Sequence, residues 1–282
     1  MLAVVLALGS AACYGVSNFL GPQLAKPHTL VAALMVGQAA ALVGCVVLLA
    51  VARDPFPSGE AVALATLAGA GNAFGLIFFY RAAELGPLAI AAPIGATGAV
   101  VPVVWGLSTG DALHWWQAVG LVLALGGAVL ASRSTPPPDE EGHGYPDPRL
   151  GAVYAACSAV AFGVFLTALP HASEDGGRYW ALMDARVALV AILCVWAGRR
   201  LATLRIDHDT PLLTVPGVLL LAGTLLYTLA SEQGLLSLVS VLGSLFPVVT
   251  VGLGVAVLGE RLSRAQAVGV SAALLGIVLI AA

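Results

Sequence analysis

One hydrophobic module is written twice in this chain, about 148 residues apart. Ser10-Ala11-Ala12-Cys13-Tyr14-Gly15-Val16 is answered by Ser158-Ala159-Val160-Ala161-Phe162-Gly163-Val164. Residues 73–86 align without a gap to residues 221–234, which pairs Gly75 with Gly223, Ala82 with Ala230, Glu84 with Glu232 and Gly86 with Gly234. With one residue inserted, Gln117-Ala118-Val119-Gly120 meets Gln266-Ala267-Val268-Gly269. A chain of this kind must pack two equivalent units against each other. Duplicated hydrophobic modules mark folds that place a site where the repeats meet, as secondary transporters do.

The solvent for these modules follows from their composition. Asp, Glu, Lys and Arg make up 10% of the chain and hydrophobic residues 60%, against roughly 25% and 45–50% in soluble domains. A bilayer supplies the missing apolar partner, because its core of about 30 Å needs about 20 apolar residues per helix. The net charge of −3 gives no footprint for nucleic acid. Cys13, Cys45, Cys157 and Cys194 fall inside apolar runs without metal-ligand spacing, and they read as small buried apolar residues. The first run is expected to belong to the mature protein. No Lys or Arg precedes it, Ser10 stands where a lipoprotein cleavage site needs an aliphatic residue, and the run is repeated at 158–164.

Apolar runs bounded by charge, Pro or Gly predict spans at 2–20, 29–52, 61–80, 87–108, 114–132, 150–169, 179–198, 212–230, 235–258 and 264–282. Runs of this length without alternation are helices, not barrel strands. The one long polar segment, Ser132 to Arg149, holds Pro136-Pro137-Pro138 and Asp139-Glu140-Glu141 and reads as a surface linker. Each half has an odd number of spans, so the second copy enters the membrane from the opposite face. The predicted fold is an all-α polytopic membrane protein with ten transmembrane helices in two inverted five-helix repeats. These cover residues 1–132 and 149–282, with the polar linker over 133–148. Lys26, Arg81, Arg133, Arg149, Arg199, Arg200, Arg205, Arg261 and Arg264 fall on one side of this arrangement, and Arg53 and Arg178 on the other. The positive-inside rule then puts both termini outside.

Tyr14-Gly15-Val16-Ser17-Asn18-Phe19 resembles the aromatic-Gly-x-Ser/Asn start of the EamA-type modules of the drug/metabolite transporter superfamily. Tyr80-Arg81-Ala82-Ala83-Glu84-Leu85-Gly86-Pro87 resembles that family's link between its third and fourth helices. Pro247 through Gly259-Glu260-Arg261-Leu262-Ser263 is similar to its ninth helix with its Gly-Glu-Arg-Leu-Ser ending. The first copy departs from the pattern, with Gly110-Asp111-Ala112-Leu113 in place of Gly-Glu-Arg-Leu and Gly98 where the second copy has Pro247. The resemblance implies ten helices, a central cavity lined mainly by helices 1, 3, 4, 6, 8 and 9, and export or exchange of small metabolites. It also implies cytoplasmic termini, opposite to the charge balance.

Candidate cavity residues on those lining helices are Tyr14, Ser17 and Asn18 in the first span, Asn72 and Tyr80 in the third, Thr97 in the fourth, and Thr224, Tyr227 and Ser240 in the eighth and ninth. A lone amide in hydrocarbon is costly, so Asn18 and Asn72 are expected to face a polar group, either solute or a neighbouring helix. Tyr80 and Tyr227 lie near span ends, where an interfacial aromatic is the alternative role. Pro93, Pro102 and Pro247 each remove a donor and free a carbonyl, and read as cavity-lining kinks. The alternative is a kink satisfied by a neighbouring Ser or Thr. Gly120, Ala124 and Gly127 match Gly269, Ala273 and Gly276, small residues on one face of the fifth and tenth spans. They predict packing of those spans within one chain, with a dimer seam as the alternative.

Full charges stand well inside a span only at Asp184 and Arg186, and Arg186 aligns with Gln38 of the first copy. Two residues apart is about 200° around a helix, so the two cannot pair. Arg186 is expected to turn into the protein and Asp184 toward the headgroups. His28, His114, His143, His171 and His208 fall in loops or at span ends, and none has a Glu, Asp or Cys at metal spacing. There is no phosphate-loop motif and a single lysine.

These features predict a membrane protein that is not an enzyme and takes no cofactor, metal or nucleic acid. Its expected partners are a small-molecule substrate and the lipid bilayer, as monomer or homodimer, with any coupling from a proton or other ion gradient. The predicted function is a secondary transporter in the cell membrane, an exporter or exchanger of a small organic metabolite or drug-like solute, working by alternating access. The alternatives are an intramembrane lipid-modifying enzyme and a non-transporting membrane scaffold.

Overall fold

The computed structural model describes residues 1–25, 30–85, 94–95, 97–131, 146–174, 177–198, 210–258 and 263–281. Among these residues every regular element is helical. α1 (Leu2–Ala25), α2 (Leu30–Ala52) and α3 (Gly59–Leu85) are followed by a 3-10 turn (Thr97–Ala99), α4 (Val100–Thr109) and α5 (Trp115–Ala131). The second half holds α6 (Pro148–Ala172), α7 (Arg178–Ala197), a 3-10 turn (Thr210–Leu213), α8 (Thr214–Ser231), α9 (Leu236–Gly243), α10 (Phe246–Leu258) and α11 (Arg264–Ala281). Seven helical runs are long and apolar enough to cross a membrane, counting α9 and α10 as one run. Thr97–Thr109 and Trp115–Leu130 are shorter apolar helices.

The surface reverses the pattern of a soluble protein. Val47, Val122, Val153, Val195 and Val278 face outward, while Ser10, Ser17, Gln38, Ser158, Arg186, Thr228 and Ser240 are buried. Continuous apolar exteriors suit lipid, and the polar groups find partners inside. Cys157 departs from the expected burial, because it lies on the exposed outer face of α6, while Cys45 is buried.

The two halves interlock. α1 packs against α8 and α3 against α6, so the first helix of each half lies on the third-span helix of the other; α2 meets α7 and α5 meets α11. Small residues set the close contacts. A Cβ on Gly127 would lie 2.5 Å from the Ala273 nitrogen, and one on Gly276 would lie 2.6 Å from the Ala124 nitrogen. The small-residue stripe therefore joins α5 to α11 within one chain.

The ninth span is not a continuous kinked helix, and the described part of the fourth enters its helix through a 3-10 turn. Ser244 and Leu245 form a turn between α9 and α10, and the 3-10 turn at Thr97–Ala99 leads into α4. Pro247 is the second residue of α10 and Pro102 the third of α4. In the first turn of a helix the backbone N–H has no intrahelical acceptor, so proline starts these helices without bending them. Pro93 lies outside the described residues. The repeat register also shifts here. Gly98 O stands 2.8 Å from a Cβ built on Gly163, as Phe246 O does from one on Gly15, so Gly98 corresponds to Phe246 and not to Pro247.

Most of the segment assigned to a linker, residues 132–145, lies outside the described residues. Its end is helical earlier than the sequence suggested, since α6 begins at Pro148. Asp147 caps it by accepting from the Arg149 and Leu150 N–H groups at 3.1 and 3.0 Å.

Gly127→Val is expected to lower the unfolding midpoint of the detergent-purified protein by several degrees or to abolish a monodisperse product. Gly126→Val, where a Cβ meets nothing within 4 Å, is expected to leave both unchanged. Equal behaviour of the two variants in a melting and size-exclusion comparison would contradict the α5–α11 packing.

Candidate functional site

One hydrogen bond between the halves is made twice, once from each copy. Ser10 Oγ on α1 donates to Gly223 O on α8 at 2.8 Å, and Ser158 Oγ on α6 donates to Gly75 O on α3 at the same distance. The aromatic residue one turn later fits against the same glycine in each case. Cβ atoms on Gly223 and Gly75 would come within 2.9 Å of the Tyr14 ring and 2.6 Å of the Phe162 ring. Only Tyr14 adds a hydroxyl, which lies 3.0 Å from Thr224 Oγ1. Thr224 gives its own proton to Leu220 O at 2.8 Å, so Tyr14 is the donor between them. One turn further, Ser17 Oγ donates to Pro216 O at 2.9 Å.

Tyr227 forms a second centre. It is 0% exposed, and its hydroxyl donates to Leu166 O of α6 at 2.8 Å. Ser240 Oγ of α9 lies 2.8 Å away, and its proton has two acceptors, the Tyr227 oxygen and Leu236 O at 2.6 Å. Tyr227 is thus a three-helix junction, not the interfacial aromatic that its place near a span end allowed. α8 runs on to Ser231, and this turn of it faces α6 and α9.

Arg186 is 5% exposed and Gln38 2% exposed. Arg186 Nη1 donates to Gln38 Oε1, so two residues at equivalent positions of the two copies touch each other at the α2–α7 contact. Asp184, on the other side of α7, is half-buried.

The remaining candidates are scattered. Thr97 Oγ1 donates to Ile94 O at 2.6 Å and serves its own turn. Asn72 is half-buried on α3, and Asn18 is exposed. Ser17 is buried and its neighbour Asn18 is exposed, on different faces of α1. The side chains of Tyr80 and Pro247, and all of Pro93, lie outside the described residues. Two shallow apolar grooves lie on the outside, one lined by Val100, Val101, Val104, Trp105 and Ser108 and the other by Ala118, Val119, Val122 and Leu123.

The sequence reading missed a set of contacts at the end where α2, α4, α6 and α8 finish. Asp111 Oδ2 accepts from Ser237 N at 3.0 Å and from Ser237 Oγ at 2.7 Å, so a first-half carboxylate caps α9 of the second half. Arg178 Nε donates to Glu232 Oε1 at 2.7 Å, with Nη2 on Oε2. Tyr179 N and Trp180 Nε1 donate to Asp54 Oδ2 and O at 3.2 and 3.1 Å. His171 Nδ1 lies 2.8 Å from Thr167 O, and its Nε2 accepts from Trp105 Nε1 at 3.1 Å. The available signal was the departure at Asp111 from the Gly-Glu-Arg-Leu pattern.

A long apolar helical fold with a polar interior defines an integral multi-pass membrane protein. The model of the EamA-like transporter family matches residues 1–133 and again residues 149–282. The chain belongs to the EamA-like transporter family. A solved crystal structure, described only as that of a protein, superposes with a TM-score of 0.76 at 16% identity. It covers 99% of this chain and 98% of its own, and shows a common fold. No curated protein matches the chain.

Tyr14→Phe and Tyr227→Phe are each expected to cost about 0.6 kcal/mol and at most about 1.7, the mean and upper end for single interhelical hydrogen bonds in membranes. The second should cost more, because it takes the donor from Leu166 O beside a fully buried ring. Reversible unfolding in mixed micelles measures both, and a larger loss for Tyr14→Phe would contradict this ordering.

Proposed function

We propose that this chain is a secondary transporter of a small organic metabolite or drug-like solute, an exporter or exchanger that works by rocking two inverted five-helix repeats about a site between them. The observation that carries the reading is the pairing of Ser10–Gly223 with Ser158–Gly75, two identical contacts related by exchange of the halves. Such an exchange is what two copies of one module produce when they meet about a two-fold axis, and the odd number of spans in each half turns the second copy over in the membrane. The shorter helices α4 and α5, with α11, then complete ten spans beside the seven long runs.

The interruptions before α4 and before α10 fall at corresponding positions of the halves. Irregular backbone at membrane depth is tolerated where protein or a water-filled path satisfies it, and half-helix ends there can meet a solute. Thr97, Ser240 and the start of α10 at Pro247 lie at or beside these breaks, and Tyr14, Thr224 and Tyr227 lie on helices packed near them. The contacts made by Asp111, Trp105 and His171 join the halves at one end and would close that end of the path. Since the small-residue stripe is used within the chain, a monomer suffices. Placement in the cell membrane and use of a proton or other ion gradient complete the proposal.

The test is reconstitution into liposomes preloaded with a cell metabolite extract. At least one metabolite is expected to leave protein-containing vesicles faster than empty ones, and Asn72→Ala is expected to slow that efflux at an unchanged amount of folded protein. If no solute moves faster than from empty vesicles, the protein is a membrane scaffold and the transporter reading falls.

A further inference from the structure

Arg186 lies about 12 Å along α7 from its first residue at the rise of an α-helix, in the middle of a 20-residue helix. Gln38 occupies the central part of α2, which spans 23 residues. A guanidinium keeps its charge at any working pH and carries five N–H donors in a planar fork. Arg186 is 5% exposed, yet the groups that meet it among the described residues are neutral: the Gln38 amide, with the Cys45 thiol and the Tyr14 phenol within electrostatic reach. Asp184, the nearest acid in sequence, projects about 200° away around α7. No described carboxylate forms an ion pair with Arg186, whereas Arg178 at the start of the same helix has Glu232. A buried cation without a counter-ion is the reverse of what proteins tolerate as a purely structural tie.

We infer that Arg186 is the anion-recognition group of this site and that the solute carries an oxyanion, a carboxylate or a phosphate. The substrate class deepens the transporter reading and rests on it, whereas oxyanion binding itself does not. Gln38 is the positioning residue. Its Oε1 accepts from one edge of the guanidinium, so its own amide N–H groups turn away from Arg186, and an entering oxyanion would be met by them together with the N–H groups on the other edge. The depth of Arg186 separates the two sources of such a group. A lipid headgroup phosphate resides at the interface, about 12 Å above it, and a small solute can reach the middle of the fold.

The experiment is thermal unfolding of the full chain in dodecyl maltoside. It is titrated with acetate, benzoate, citrate or inorganic phosphate, with acetamide and benzamide as neutral counterparts and with phosphatidylglycerol as the lipid arm. At least one free oxyanion is expected to raise the midpoint saturably while the amides do not. Arg186→Gln should raise the half-saturating concentration about tenfold or more. Gln38→Glu places a carboxylate against the guanidinium. It should fold at least as well as the original chain and lose the response, so it decides the matter if Arg186→Gln does not fold. A response of unchanged half-saturation in either variant, one matched by the amides, one given by phosphatidylglycerol alone, or none at all overturns the inference. Proteoliposomes separate it from the broader reading. Oxyanion binding without movement of any solute removes the transporter and leaves the site, while movement of cations or neutral solutes alone removes the site and leaves the transporter.

Discussion

Inside a bilayer, apolar surface gains nothing by leaving lipid for protein, so helices associate through close backbone approach and through hydrogen bonds between them. The rest of this structure depends on that constraint. Gly127 and Gly276 bring α5 and α11 into contact, and Gly37 and Gly217 meet backbone to backbone where α2 crosses α8. Ser10 and Ser158 each reach a backbone carbonyl of the other half. Because one module supplies both sides of each contact, any solution found for one half is available to the other. The fold is built from contacts made twice.

The two copies are unequal at several places along their seam. Tyr14 and Phe162 occupy matching places, but only Tyr14 carries a hydroxyl to Thr224. Gln38 and Arg186 occupy matching places, but only one carries charge, and they touch each other. Asp111 caps α9 of the opposite half, in a segment where the first copy lacks the Gly-Glu-Arg-Leu sequence of the second. A symmetric frame with asymmetric side chains at its seam suits a site that must bind a solute and then release it on the other side.

Much of the frame was legible in the sequence. The 148-residue offset that aligned Arg186 with Gln38 is the offset of their contact, and the apolar runs marked the helices to within a few residues except where they break. The breaks were not legible, because Gly243-Ser244-Leu245-Phe246 is as apolar as its surroundings, and proline in a first turn looks like proline at a kink. Polarity alone does not say which face of α1 a residue takes, and of the neighbours Ser17 and Asn18 only Ser17 is buried. The Asp111–Ser237 cap and the His171–Trp105 bond join residues far apart in sequence, and no periodic pattern encodes such pairs. Tyr227 was found as a residue, but its burial follows from packing of α8 against α6 and α9.

The central claim is that the two halves face the membrane in opposite directions. It is tested most directly by labelling with a membrane-impermeant thiol reagent, after Cys13, Cys45, Cys157 and Cys194 have been replaced. One cysteine is placed in the loop at residues 53–58, after α2, and in a second protein one is placed in residues 199–209, after α7. In sealed vesicles of known sidedness, the account predicts labelling of the two positions from opposite faces. Labelling of both from the same face would contradict it.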